Sequence, residues 1–150
     1  MDDIGPQLGV LLSTAYAMLL GGVVGFEREL KDRPAGFRTH MLVAGAAALL
    51  VGLGDLIANH FTAQHSEQIL RIDPIRLIEA VVTAVGFLGA GAIFRRAGGN
   101  SVAGLTTAAS LLMVAAIGIA AGLHAHVLAI GATLLTLVVL TVLSWVERRA

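Results

Sequence analysis

The chain has no cysteine, which removes disulfides, thiolate metal sites and thiol redox switches together and leaves its compartment open. Aromatic residues are scarce at 5%, and charged residues make up 13%, against about a quarter in a soluble globular domain. Formal net charge is zero, so no basic field points to a nucleic-acid partner. What fills the 150 residues instead is apolar: 57% hydrophobic, 18 glycines and a mean hydropathy of +0.86. Few rings and many glycines suit helices packed backbone to backbone in lipid better than an aqueous core filled with side chains.

A membrane span takes roughly 20 predominantly apolar residues, with about 17–25 tolerated. Five windows qualify: 8–26, 40–58, 75–94, 102–123 and 127–146. None alternates polar and apolar with period two, and a segment in hydrocarbon must satisfy its own backbone, so helix is the expected state of each. The first window has no basic leader and runs straight into charge, which reads as a retained span rather than a cleaved signal. The expected fold is all-α, a polytopic membrane bundle of five transmembrane helices forming a single domain over 1–150. Lys and Arg in the short connections set orientation. Arg28, Lys31, Arg33, Arg38, Arg95, Arg96, Arg148 and Arg149 fall on one side, and only Arg71 and Arg76 on the other. That split predicts the N-terminus outside and the C-terminus inside.

The charges themselves are unevenly spread. Glu27, Arg28, Glu29, Lys31, Asp32, Arg33 and Arg38 crowd into the connection 27–39 between the first two spans. Just before them Ser13, Ala17, Gly21 and Gly25 recur every fourth residue, a groove into which a neighbouring helix can press. If the helix continues, Arg28 and Glu29 fall on the groove side and Glu27 points nearly opposite. A positive-inside loop with incidental acids is the plainer reading of the same residues.

The third span opens with Asp73-Pro74, an N-cap acid before a proline at the first helical position. Glu79, one to two turns in, is a functional candidate as an intramembrane acid, or else an interfacial ion-pair partner of Arg76. Gly86, Gly89 and Gly91 read as close-approach points for packing. In the fourth span Ser101 is the expected N-cap, Thr106, Thr107 and Ser110 can bond within the helix or across it, and Gly118 and Gly122 form another small-residue pair. His124 and His126 read as solvated histidines of a tight turn, with a weak divalent-metal or pH-sensing role as the alternative. No metalloprotease, phosphate-loop or nucleophile-elbow motif is present, so no enzyme is expected.

The stretch "GFERELKDRPAGFRTH" closely resembles the signature loop of the MgtC/SapB family of bacterial membrane proteins. The likeness falls on Gly25, Glu27, Arg28, Glu29, Ala35, Gly36, Arg38, Thr39 and His40. Two further blocks agree in family order, "DPIRLIEAVVTAVGFLGAGAIF" from Asp73 and "GLTTAASLLMVAAIGIAAG" from Gly104. The resemblance implies a multi-pass protein of the bacterial inner membrane, a link to magnesium limitation and to virulence, and for some members regulation of the ATP synthase. Many members carry a cytoplasmic domain after the last span, whereas this chain is expected to be the membrane module alone. Expected partners are the bilayer, a second copy in a homo-dimer or higher oligomer, and a membrane protein such as the ATP synthase.

The expected functional centre is Glu27, Arg28, Glu29, Arg38, Thr39 and His40, docked against the glycine and threonine segments of the third and fourth spans. The leading expectation is a non-enzymatic regulator with no cofactor. The alternative is a magnesium transporter or channel, in which Asp55 and Glu79 guide the ion toward Glu27 and Glu29. Weak magnesium binding would then fall to Glu27, Glu29 and Glu79, since magnesium favours oxygen ligands and keeps several waters.

Overall fold

The computed structural model describes residues 4–63, 73–95 and 102–147. Five helices account for nearly all of them: α1 (Ile4–Leu30), α2 (Phe37–Ala63), α3 (Pro74–Ala92), α4 (Leu105–Gly122) and α5 (His126–Glu147). Helices α1 to α4 are long and apolar enough to cross a membrane, and α5 carries a shorter apolar stretch, His126–Val142. Their outward faces are set with large hydrophobic side chains, Leu12, Leu19, Phe87, Leu128 and Leu135 among them, which only a lipid surrounding makes favourable. The protein is a helical membrane bundle.

Successive helices run in opposite directions. One end of the bundle gathers the end of α1, the start of α2, the end of α3 and the start of α4. The other gathers Ser13 of α1, the last turns of α2, the start of α3 and the α4–α5 turn. Helix α4 lies in the middle and packs on all four others. The core it organises is built from small or branched residues: Ala17 and Val24 of α1, Ala44 and Ala47 of α2, Val114 and Ile117 of α4.

Glycine spacing explains how the helices come so close. A Cβ on Gly21 would lie 2.6 Å from the His40 carbonyl oxygen and 2.7 Å from the Ala44 Cβ, and one on Gly25 would lie 2.8 Å from the Phe37 Cα. On the other side of α2, Cβ atoms on Gly118 and Gly122 would run into the carbonyls of Ala44 and Ala48. Ala44 is thus clasped between two glycine grooves, one from α1 and one from α4. Both grooves are filled from within the chain, by α2.

The connections differ from expectation in three places. The region 27–39 is mostly helix: α1 runs on to Leu30 and α2 begins at Phe37, leaving a turn of six residues. Charge does not end a helix that is packed on its neighbours. Helix α3 stops at Ala92, and Phe94–Arg95 pairs antiparallel with Val102–Ala103 in a two-residue ladder. Helix α4 therefore starts at Leu105, not at residue 102, with Gly104 in the cap position and no side-chain cap; Ser101 lies outside the described residues. Gly104 takes φ 94°, and a Cβ there would collide with the Ala92 carbonyl, so the step from ladder to helix needs glycine.

Candidate functional site

The charged residues at the end of α1 are built into the bundle. Arg28 is 2% exposed and Glu27 9%. The Glu27 carboxylate lies 3.4 Å from the Arg28 Nε and is also ion-paired with Lys31 one turn on. Neither contact is aligned as a hydrogen bond, so charge rather than directed bonding holds the carboxylate; opposite charges at this separation attract whatever their orientation. Lys31 reaches further and donates from Nζ to the Leu140 carbonyl oxygen of α5 at 2.8 Å. Lys31 thus ties the Glu27–Arg28 pair at the end of α1 to α5.

Glu29 works differently. Its Oε2 accepts the Phe37 backbone N–H at 2.8 Å, so an acid at the end of α1 caps the start of α2. That places a negative charge where the unpaired N–H groups and the dipole of α2 favour one. Gly36 makes room for it: a Cβ there would lie 2.8 Å from Glu29 Oε2. The expected orientation of these acids is corrected, since Glu27 is buried and Glu29 exposed. The projection treated α1 as having one packed side, but its last turn meets α5 as well as α2.

His40 is completely buried. Its Nδ1 lies 2.9 Å from the Gly36 carbonyl oxygen and its Nε2 3.0 Å from the Ser110 Oγ of α4. A carbonyl only accepts, so Nδ1 carries a proton. Ser110 Oγ stands 2.8 Å from the Thr107 carbonyl, which leaves its one proton shared between that oxygen and His40 Nε2. The imidazole is the polar link between the charged end of the bundle and α4. Thr107 is buried beside it, as expected of a docking surface, whereas Thr106 faces outward. Arg38 and Thr39 are exposed on the first turn of α2 and present polar groups outward from the same end.

The charged residues at the start of α3 lie elsewhere. Asp73 caps α3 by accepting the Ile75 N–H at 3.0 Å, with proline following it as read. Arg76 pairs with Asp73 at 3.8 Å rather than with Glu79, because the cap already holds an acid three residues before it. Glu79 is exposed at the far end of the bundle. The three proposed metal acids therefore do not converge: Glu27 faces its bases, Glu29 caps α2, and Glu79 lies toward the opposite end of the bundle. Of the α3 glycines only Gly89 approaches a neighbour, Ala108 of α4; Gly86 and Gly91 meet nothing within 4 Å. Among the described residues no three His, Asp or Glu side chains stand close enough to share an ion.

A cavity of about 350 Å3 opens at that far end, between α1, α2, α3, α4 and the α4–α5 turn. Asp55 lines it and Glu79 does not. His124, expected as a solvated turn residue, is exposed yet also lines the cavity, 3.4 Å through its Nδ1 from Ser13 Oγ. Sequence reasoning left Lys31 and Ser110 out of the functional centre. Lys31 had a signal, its place four residues after Glu27 on one helical face; the bond from Ser110 to His40 spans 70 positions and had none.

Comparison with known proteins adds an independent line. A profile described as the MgtC family matches residues 14–149. Protein SapB of Bacillus subtilis is 34% identical over 140 residues, 93% of this chain and 59% of its own length. Protein MgtC of Brucella abortus is 42% identical over 114 residues, 75% of this chain and 42% of its own length. A protein of Escherichia coli named putative magnesium transporter YhiD is 37% identical over 133 residues, 88% of this chain and 59% of its own length. The chain spans about half the length of these curated relatives. No solved structure matches it.

Proposed function

The chain belongs to the MgtC family, and from that premise we propose that it is a magnesium-linked protein of the bacterial inner membrane that acts as a non-enzymatic regulator. The relatives' names supply the magnesium link: one is called MgtC and another a putative magnesium transporter. The observation that carries the choice of regulator over transporter is the state of Glu27 and Glu29. Glu27 is held between Arg28 and Lys31, and Glu29 is spent on the cap of α2. An ion arriving at this end would have to break those contacts, and removing one member of a buried charge pair is costly, about 3–5 kcal/mol. Between the two ends the interior is closed by Ala44, Val114 and Ile117, each fully buried.

In this reading the buried ion pairs and the His40 link make a rigid base, and Arg38, Thr39 and Arg33 on its outer surface meet a membrane-protein partner. Two measurements test it together. Purified protein in liposomes under a magnesium gradient should move no magnesium, and Arg38→Ala should abolish rescue of growth in low magnesium while leaving the protein folded in the membrane. Magnesium entry that is lost in Glu27→Gln would establish the transport reading instead.

A further inference from the structure

The cavity at the far end has a chemistry that the regulator reading does not use. Its wall is aliphatic on several sides, with Val10, Val51, Leu77, Ile78 and Ile119 contributed by four helices. Polar groups enter it at few points. Ser13 and His124 face each other across 3.4 Å, and His124 does so on left-handed backbone at φ 57°, a conformation that few non-glycine residues adopt. Asp55 has no comparable engagement: among the described residues its carboxylate takes part in no ion pair. Asp55 is exposed where it meets the cavity, so its charge is partly screened: an effective dielectric of about 20 rather than 80 leaves its pull on a cation a few-fold stronger than in open water.

We propose that this cavity binds a small organic cation, its ammonium group at Asp55 and its apolar body between α1, α2, α3 and α4. Size supports the class. The volume of about 350 Å3 is a little more than twice the roughly 150 Å3 that accepts one benzene, which corresponds to about a dozen heavy atoms. Composition decides against a hydrated metal ion. Magnesium keeps most of its waters and approaches protein through one or two carboxylates, and those waters need polar partners that Val10, Leu77, Ile78 and Ile119 do not offer. A neutral lipid chain would fill the chamber without using the exposed Asp55 carboxylate beside it. The inference stands apart from the regulator reading, since it concerns the opposite end of the bundle.

The test uses the full chain in nanodiscs of zwitterionic lipid, with empty nanodiscs as the partition control. The probe is 4-phenylbutylammonium, and 4-phenylbutanol is its neutral counterpart of equal size. The ammonium should bind saturably and the alcohol about tenfold more weakly or worse; Asp55→Asn should bring the ammonium down to the alcohol's affinity. Ile78→Phe, which fills the chamber from the sparsely packed α3, should abolish saturable binding of both, and helical circular dichroism with melting checks that each variant folds. Absence of saturable binding to the folded wild type overturns the proposal. Equal affinity for the alcohol overturns it in favour of a lipid-like occupant. Displacement of the probe by magnesium at lower concentration than by the ammonium itself overturns it in favour of a metal.

Discussion

Glu27 and Glu29 are two positions apart in one helix, and the same functional group does two different jobs there. At Glu27 the carboxylate balances buried Arg28 and holds Lys31, which reaches the Leu140 carbonyl. At Glu29 it replaces the missing hydrogen-bond acceptor for the first N–H of α2. Loss of such a cap costs about 0.5–2 kcal/mol. Glu29→Ala should therefore lower stability by that amount in reversible unfolding from mixed micelles, and Glu29→Gln, which keeps an acceptor, should lose less. His40 makes a second prediction at this scale. Because Nδ1 faces only the Gly36 carbonyl, nitrogen NMR of ring-labelled protein should find that nitrogen protonated, and Ser110→Ala should shift the Nε2 resonance while leaving Nδ1 in place. The motif residues were readable in the sequence as a group, but their separate tasks were not. Which way Glu27 points depends on α5, more than a hundred positions away, and no local periodicity carries that distance.

At the scale of the helix, glycine decides what can pack. The fourfold spacing of Ser13, Ala17, Gly21 and Gly25, and the pair Gly118 and Gly122, were legible because a groove of small residues leaves a regular mark in sequence. Both grooves receive α2. The α3 glycines carried the same mark and mean something else, since Gly86 and Gly91 face open space. Spacing states that a close approach is allowed, and only the arrangement of helices states whether one is made. Substitution separates the two cases. Gly118→Ala should destabilise the bundle by about 1–3 kcal/mol, because its Cβ would meet the Ala44 carbonyl, a backbone atom that cannot move aside. Gly86→Ala should stay within about 0.5 kcal/mol, or stabilise through better helix propensity. Equal losses at both positions would show that α3 is packed on its outer face too. The ladder of Phe94–Arg95 with Val102–Ala103 was missed because two paired residues are too few to impose a period.

For the whole molecule the two ends are chemically unlike, and the difference sets how it should sit in a membrane. One end holds Arg28, Lys31, Arg33 and Arg38; the other, where α2 ends and α3 begins, holds Asp55, Asp73 and Glu79, with Arg76 paired to Asp73. Lys and Arg beside short loops are retained on the cytoplasmic side, so the end with Arg33 should face inward. Because successive helices reverse direction, the α4–α5 turn must then face outward, and the two positions are not independent. The absence of native cysteine makes the experiment clean, since a single introduced thiol is the sole target. Arg33→Cys lies in the exposed turn between α1 and α2, and Val127→Cys, 87% exposed, lies one residue into α5. A membrane-impermeant maleimide should label Cys at 33 in inside-out vesicles and Cys at 127 in right-side-out vesicles. Reversal of both would keep the bundle and invert it, placing the Asp55 cavity toward the cytoplasm. Labelling of both from one side would mean that α2, α3 and α4 do not all cross, and the alternation of helix direction that brings His40 to Thr107 and Ser110 would then not hold.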